Sequence, residues 1–224
     1  MATASTRWAF TLPDPADSVD ITKLNADFVT IDNALGITPC TTGTRPSTPV
    51  NGQAIYETDS HDAYVFDTSG VAGVWYHLVP PIVQVANDVT ATANVNPTQV
   101  GDLTITVAGS TSYALDAFIV YSSATAADAV LSFSLPSGAT VLLTSDALTS
   151  TATTTSSAVE RAAVTTTSLT LGGAGVGVLV AAHVKGLIRT STASGNVVAN
   201  WAQSVSDPSN TVLKSASWMR LQRI

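Results

Sequence analysis

The sequence from Pro80-Pro81 to the C-terminus constrains the fold most, because it is a succession of short β-type runs with turn residues between them. In Val130 to Leu135, for example, Leu131, Phe133 and Leu135 alternate with serine, so one face of a strand would be buried and the other exposed. The predicted strands are Leu103–Val107, Tyr113–Tyr121, Val130–Leu135, Ala139–Thr144, Val164–Leu171, Val176–Arg189, Val197–Val205, Thr211–Leu213 and Trp218–Arg223. No long helical period interrupts them, which predicts a mainly β fold with an antiparallel, jelly-roll-like β-sandwich over residues 81–224.

One predicted strand, Val176 to Ala182, has apolar or small residues on both faces. Such a strand is either central in its sheet or lies at a contact between subunits. Charged residues make up 11% of the chain, against about 25% in a typical soluble domain. Either much of the surface is buried in an oligomer, or the abundant Ser, Thr and Asn solvate it, and we expect both. The Thr/Ser-rich tract of residues 147–157 is compatible with a loop or with an exposed strand.

The first residues read as an extended arm rather than as part of a sheet domain. Apolar and polar residues alternate from Arg7 to Leu12, and Pro13 and Pro15 then enforce an extended path. The apolar side chains of this arm are Trp8, Phe10 and Leu12. They either dock in a groove on some other surface or fold back onto their own chain.

A short helix is predicted to follow the arm within residues 1–36. Its apolar residues recur at alternating steps of three and four, in the heptad pattern Ile21, Leu24, Phe28, Ile31 and Leu35. Asp20 is placed to cap its start and Gly36 to end it. A helix this short is marginal alone in water, so we expect its stripe to pack against copies of itself or against the neighbouring domain.

Residues 37–80 read as a separate β-hairpin module. Asn51-Gly52 marks a turn, and the runs Ala54–Glu57 and Ala63–Phe66 are separated by turn-favouring residues. The stretch G-T-R-P-x-x-P-x-x-G-Q-x-I-Y-E-T-D that begins at Gly43 resembles the collar modules of bacteriophage tail fibres and related virion appendages.

Two further stretches carry the same likeness. The motif V-D-I-x-x-L-N-A-D-F-x-x-I-D, from Val19 to Asp32, resembles N-terminal segments of phage fibre proteins, although Asp27 stands where those proteins often have Asn. The closing stretch from Gly186 to Ile224 is similar to the ends of trimeric phage fibre heads. The resemblance implies a homotrimeric virion protein with other tail or capsid proteins as partners.

Charge and cysteine content exclude several classes of function. A net charge of −7 argues against nucleic acid, whose phosphates require clustered Lys and Arg. The single cysteine, Cys40, forms no internal disulfide or zinc cluster and is interpreted as an inert buried residue. Neither a secretion signal nor an apolar run of membrane-spanning length is visible. We therefore expect that the protein is made in the cytoplasm of the bacterial host and is not inserted into a membrane.

The sequence offers no catalytic or cofactor-binding pattern. His61, His77 and His183 lack partners at metal-ligand spacing, and Asp59 and Asp62 are better explained as turn residues. The glycine-rich run 172–177 lacks the lysine and the βαβ context of a nucleotide loop, and indicates a tight turn or a close approach of strands. We therefore predict no enzyme, no metal and no cofactor.

Four aromatic residues of the predicted sandwich are candidates for surface recognition, namely Tyr113, Tyr121, Trp201 and Trp218. Aromatic faces stack on sugars and anchor interfaces, and packing in the core is the competing interpretation.

The predicted function is that of a trimeric phage fibre or spike, with the N-terminus on the particle and the β-sandwich directed towards host-surface glycan. The alternative is a capsid decoration, or head fibre, protein that stabilises or coats the shell. A glycan depolymerase is less favoured, because no pair of carboxylates is marked out for hydrolysis.

Overall fold

A computed structural model describes residues 36–68, 73–161 and 163–224, together with the backbone of two short strands, β1 (Thr3–Ala4) and β2 (Thr11–Leu12). These two strands pair antiparallel, Thr3 opposite Leu12. The chain divides into two compact units, Met1–Val79 and Pro80–Ile224. We call residues 36–68 and 73–79 the collar, and residues 80–161 and 163–224 the head.

The collar is a four-stranded sheet in the order β3-β4-β5-β6. Its elements are β3 (Thr38–Cys40), a short 3-10 helix (Thr42–Thr44), β4 (Ala54–Glu57), β5 (Asp62–Asp67) and β6 (Val74–His77). Strands β4, β5 and β6 are antiparallel neighbours, whereas β3 runs parallel to β4. The predicted hairpin is therefore present. The additional parallel strand, β3, was not predicted, because it is only three residues long and one of them is proline.

The head contains thirteen strands among its described residues. They are β7 (Ile82–Gln84), β8 (Val89–Ala91), β9 (Thr98–Val107), β10 (Ser112–Ser123), β11 (Ala129–Ser134), β12 (Thr140–Leu148), β13 (Val159–Glu160), β14 (Ala163–Val164), β15 (Ser168–Leu171), β16 (Gly175–Arg189), β17 (Gly195–Gln203), β18 (Thr211–Leu213) and β19 (Trp218–Arg223). All their pairings are antiparallel. The prediction of a mainly β fold with an antiparallel sandwich is confirmed.

Two sheets make up the head. The larger has the order β13-β12-β16-β10-β18-β8, with β14 also on β12 and β19 between β10 and β7; the smaller has the order β15-β11-β17-β9. One apolar cluster draws residues from both sheets, and the Tyr121 ring of β10 meets the Trp201 ring of β17 edge-on at 5.8 Å. The largest fully buried apolar side chains of the head are Leu103, Ile119, Tyr121, Leu131, Leu143, Leu171, Ile188, Trp201, Leu213 and Met219. This burial is what holds the sandwich together.

The predicted strand Val164–Leu171 is divided in the structure. Residues 165–167 form a bend, so β14 joins the larger sheet through β12 and β15 joins the smaller sheet through β11. A run of threonines gives no turn signal, because Thr favours strands. The tract of residues 147–157 is a loop after the first two residues, which end β12.

The glycine-rich run provides a close approach of backbones, as predicted. A Cβ on Gly172 would lie 1.9 Å from the carbonyl oxygen of Thr149, and one on Gly173 would lie 2.4 Å from that of Ala124. Only glycine fits such distances.

Candidate interaction surfaces

The centre of the collar is an ion pair rather than an apolar core. The Arg45 guanidinium pairs with the Glu57 carboxylate, whose side chain is 1% exposed. The Ser60 hydroxyl donates to the other Glu57 oxygen at 2.9 Å, and the guanidinium carbon lies 4.4 Å from the centre of the Tyr64 ring. The hydrogen bond from Arg45 holds the pKa of Glu57 below its ordinary value. This arrangement satisfies a buried charge by pairing, hydrogen bonding and cation–π contact.

A ring contact extends the cluster to the neighbouring strand. The His77 ring of β6 lies 4.3 Å from the Tyr64 ring of β5, and its Nδ1 is 3.9 Å from an Asp62 oxygen. Burial lowers the pKa of His77, and the nearby Asp62 carboxylate partly opposes that shift. The strands of the collar are thus joined through polar and aromatic side chains.

The other polar residues of the collar motif are used in the same internal way. The Thr42 hydroxyl and N–H both donate to Asp59, at 2.7 and 3.1 Å, which lowers the pKa of that carboxyl. The Asn51 side-chain oxygen accepts from the Thr68 N–H at 2.9 Å. The stretch that resembles the tail-fibre collar therefore contributes to the stability of the collar sheet, and its charged side chains bind to other residues of the collar.

An aromatic row crosses the face of the larger sheet that points away from the core. Ala117 and Ile119 of β10 are buried, so Phe118 between them faces the other side. The register places Phe118 opposite His183 of β16 and opposite Trp218 of β19. The ring centres lie 5.0 and 6.5 Å from Phe118, respectively. We call these three side chains the aromatic row.

A charged row lies beside the aromatic one. Asp116 accepts from the Arg220 guanidinium at 2.9 Å and stands opposite Lys185 on the other side. The outer face thus combines the half-buried rings of Phe118 and Trp218 and the exposed ring of His183 with charges of both signs. This composition is suited to contacts with another molecule.

One segment of β16 is exposed where its pairing with β10 is interrupted, because Val180 lies opposite Tyr121 and Gly175 opposite Ser123. Val176, Val178 and Leu179 of β16 are 60%, 39% and 56% exposed. Val159 of β13 lies across a shallow cleft from Leu179 and is 50% exposed. Strand β16 lies between β12 and β10, but it pairs with both only from His183 onwards. For Val176–Ala182 the predicted alternative, a contact between subunits, stays a prediction.

Three of the four candidate recognition residues belong to the core instead. Tyr121 and Trp201 are 0% and 1% exposed, and their polar atoms bond to carbonyl oxygens of Gly172 at 2.8 Å and Thr211 at 3.3 Å. Tyr113 is also buried, and its oxygen accepts from the Ala108 N–H. Burial makes the surface interpretation wrong for these three residues, because each ring lies on the inner face of its strand. Trp218 alone lies on the outer face, where recognition stays a prediction.

The residues assigned to virion anchoring and to the oligomer helix lie outside the part described in side-chain detail. They are Trp8, Phe10, Leu12, Ile21, Leu24, Phe28, Ile31 and Leu35. Their roles stay predictions.

The described residues hold no group of three His, Cys, Asp or Glu side chains that could bind a metal ion. His61 lies in the turn before β5, where its φ is +59°, and its Nδ1 is 3.2 Å from the Tyr56 hydroxyl. Cys40 is half-buried rather than buried as predicted, and burial raises the pKa of its thiol. Within this same part of the chain, no helix has the length and apolar character to cross a membrane.

The sequence did not reveal the Arg45–Glu57 pair or the interrupted pairing of β16 between Gly175 and Val180. The pair joins residues twelve positions apart through a turn, and no local period marks such a contact. The interrupted segment does lie within an uncharged, glycine-containing run from Gly172 to Ala182.

Comparison with known proteins gives no family model and no curated protein that matches this chain. Among solved structures, the chain aligns with the VP2 subviral particle of infectious bursal disease virus at 9% identity, over 80% of this chain and 50% of that one, with a TM-score of 0.18. The T=1 particles derived from the same virus align at 11% identity, over 80% and 49%, with a TM-score of 0.20. The chain spans about half the length of these proteins. Likenesses at these TM-scores carry no weight for the fold or the function.

Proposed function

We propose that this chain is a structural protein of a bacteriophage virion that forms a fibre or spike. The observation that carries the proposal is the collar sequence from Gly43 to Leu78, which resembles the collar modules of tail fibres. What supports it is that Arg45, Glu57 and Asp59, all within the matching stretch, are the residues that stabilise the collar. A match made of fold-defining residues is stronger than a match of surface residues.

In this proposal the role of the protein is binding and assembly rather than catalysis. Trp8, Phe10 and Leu12 attach the chain to other virion proteins, and the heptad residues between Ile21 and Leu35 contribute to a homotrimer. The head projects outward, and its aromatic row is the surface offered to host-cell glycan. Three copies would strengthen weak contacts through avidity.

Electron microscopy of phage particles labelled with a gold-conjugated antibody against the head tests the proposal. We expect the label on tail fibres or spikes. An antibody against the major capsid protein, used in parallel, is the control and should label the capsid. Label confined to capsid facets would instead support a decoration protein, and particles without label would refute a virion role. Release of reducing sugar from host-wall polysaccharide by the purified protein would contradict a purely structural role.

A further inference from the structure

The aromatic row continues at both ends across the outer face of the larger head sheet. Strands β7, β19, β10, β16 and β12 lie side by side in that order. Gln84 of β7 stands opposite Trp218, and Asp146 of β12 stands opposite His183. Opposite residues of antiparallel neighbours share a face of the sheet. Because neighbouring strands are about 4.8 Å apart, the extended row is about 19 Å long.

The extended row combines flat rings with groups that form hydrogen bonds. The face of an aromatic ring packs against the C–H groups of a sugar ring. At the ends of the row, the Gln84 amide and the Asp146 carboxylate are both exposed and can bind hydroxyl groups. The Gln84 amide nitrogen donates to the Ser215 carbonyl at 2.9 Å, which fixes the orientation of this amide. A long, open row of this composition suits a chain of sugar rings, whereas a compact ligand needs an enclosed pocket.

Two cations on the same face of β16 have no acidic partner. Lys185 and Arg189 are exposed, whereas Val184 and Ile188 beside them are fully buried. The alternation of a strand therefore directs both cations to the outer face. Within the described part of the chain neither forms an ion pair, in contrast to Arg220, which is paired with Asp116.

The charge of this face is opposite in sign to that of the chain. Each of the two outward aspartates of the five strands is already neutralised, Asp116 by Arg220 and Asp146 by Arg161. Lys185 and Arg189 therefore leave the face with an excess of positive charge, although the whole chain has a net charge of −7. A negatively charged polymer is repelled by the chain as a whole and attracted to this face.

We infer that this face binds an acidic polysaccharide, with sugar rings along the aromatic row and their negative groups on Lys185 and Arg189. The inference rests on the glycan role in the proposed function and adds the class of glycan. A neutral glycan would leave the two cations unused. Nucleic acid carries a phosphate on every nucleotide and requires clustered cations, whereas Lys185 and Arg189 are separated by Leu187 and share the face with two carboxylates.

Binding of the full-length protein to immobilised dextran sulfate, polygalacturonate and dextran, followed by surface plasmon resonance, tests the inference. Dextran sulfate and dextran have the same backbone and differ in the anionic groups. We expect binding to both acidic polymers and none to dextran, and weaker binding at high salt, which screens exposed charges. Trp218→Ala should weaken binding about tenfold through the lost ring contact. Lys185→Gln should weaken it about threefold, because one exposed cation is lost.

Two further variants separate this surface from net charge and from folding. Arg223→Gln removes the same charge from the other side of the sheet, since Arg223 stands opposite the buried Tyr113, and should bind like the wild type. Trp218→Phe keeps a ring and should recover most of the affinity that Trp218→Ala loses.

Several outcomes would overturn the inference. They are binding to neither acidic polymer, equal binding to dextran and dextran sulfate, equal losses in Arg223→Gln and Lys185→Gln, and tighter binding to single-stranded DNA. A lower oligomer mass of Trp218→Ala in light scattering would also overturn it, because the face would then be a contact between subunits. None of these results changes where the protein lies on the particle, so the virion role would stand. Conversely, particles without antibody label would refute the virion role and leave the measured binding in place.

Discussion

The collar and the head solve the same problem, a stable β-sheet, with different chemistry. In the head, apolar side chains from two sheets meet in one cluster, with Trp201 and Tyr121 in contact at its centre. The collar has a single small sheet, in which Ile55 and Tyr64 are the buried hydrophobic residues, and its centre is the Arg45–Glu57 pair. Among the described residues 36–68 and 73–79 this sheet has no second layer, and a single sheet buries little apolar area. The collar residues gain stability from polar contacts instead.

The difference teaches where each part should be sensitive. Loss of volume should damage the head, because a cavity in a packed core removes many contacts at once. Loss of one charge should damage the collar, because the remaining charge stays buried without a partner. Acid should act on the collar more than on the apolar core of the head.

The largest effect is expected for Trp201→Ala in the head. The ring is 1% exposed, and its removal should cost about 3–5 kcal/mol of unfolding free energy through lost contacts and a cavity. Urea denaturation of the full chain, read by hydrogen exchange of head and collar segments, should show a lower head midpoint and an unchanged collar. Trp218→Ala is the control, because this half-buried outer residue should cost about 1 kcal/mol; equal losses for the two would contradict the assignment of Trp201 to the core.

The next largest effect is expected for Arg45→Met in the collar. Methionine keeps an unbranched apolar stem and removes the guanidinium, which leaves the buried Glu57 carboxylate without its cation. The cost should be about 3 kcal/mol, towards the low end for a broken buried pair because Arg45 is partly exposed to solvent. Hydrogen exchange should accelerate in β4 and β5 and stay unchanged in the head.

The double variant Arg45→Met with Glu57→Leu makes that prediction discriminating. If the unpaired charge causes the loss, replacing both partners by apolar residues should restore part of the stability. A double variant that is less stable than Arg45→Met would show that the collar depends on the pair for its shape.

A smaller effect is expected from acid. The pKa of Glu57 is lower in the folded collar than the ordinary value of 4.5, so the unfolded chain binds the proton more readily. The stability that Glu57 contributes is therefore complete above about pH 4.5 and is lost as the pH falls through the folded-state pKa. In the variant Glu57→Gln the stability of the collar should depend less on pH in this range. The measurement is amide hydrogen exchange of collar residues as a function of pH, corrected for the intrinsic exchange rates.

Asp59 and His77 also make the collar less stable as the pH falls, and His77 provides a control for the effect of Glu57. The pKa of Asp59 is lowered by its hydrogen bonds from Thr42, so its contribution also falls in acid. Burial lowers the pKa of His77 from 6.5, so its protonation destabilises the collar from about pH 6.5 downward. His77→Gln should remove the loss in that higher window and leave the lower one, and an unchanged profile in both variants would contradict these assignments.

The head was the easier part to predict from sequence. Its strands are recognisable because apolar and polar residues alternate, as around Leu131 and Phe133, when one face of a strand packs against a core. What sequence could not give was pairing: β14 and β15 belong to different sheets although only three residues separate them. For the same reason the sequence left two positions open for Val176–Ala182, central in a sheet or at a subunit contact, since apolar residues on both faces indicate burial without identifying the neighbour.

The collar shows the opposite limit. Its turns were predictable from Asn51-Gly52 and its strands from short β-rich runs, whereas the Arg45–Glu57 pair was not, because a charged residue in a loop usually indicates solvent. The prediction that Tyr121 and Trp201 lie on the surface was wrong for a similar reason. Tyr121 and Trp201 carry polar atoms that suit a surface, and only the structure shows that carbonyl groups in the core satisfy them.

The smallest effect is expected at Gly52, which separates conformational from packing roles of glycine. Gly52 lies in the turn before β4, its φ is +82°, and its N–H donates to the carbonyl of Phe66 in β5 at 2.8 Å. A Cβ at Gly52 meets nothing within 4 Å, so Gly52→Ala should cost about 1–2 kcal/mol of collar stability through backbone strain alone. Gly43→Ala, also with open space but without a left-handed φ, should change stability by less than about 0.5 kcal/mol. Gly52→Asn should recover most of the loss, because asparagine tolerates this conformation; equal losses for Ala and Asn would mean that the turn rejects any side chain, as Gly172 does in the head.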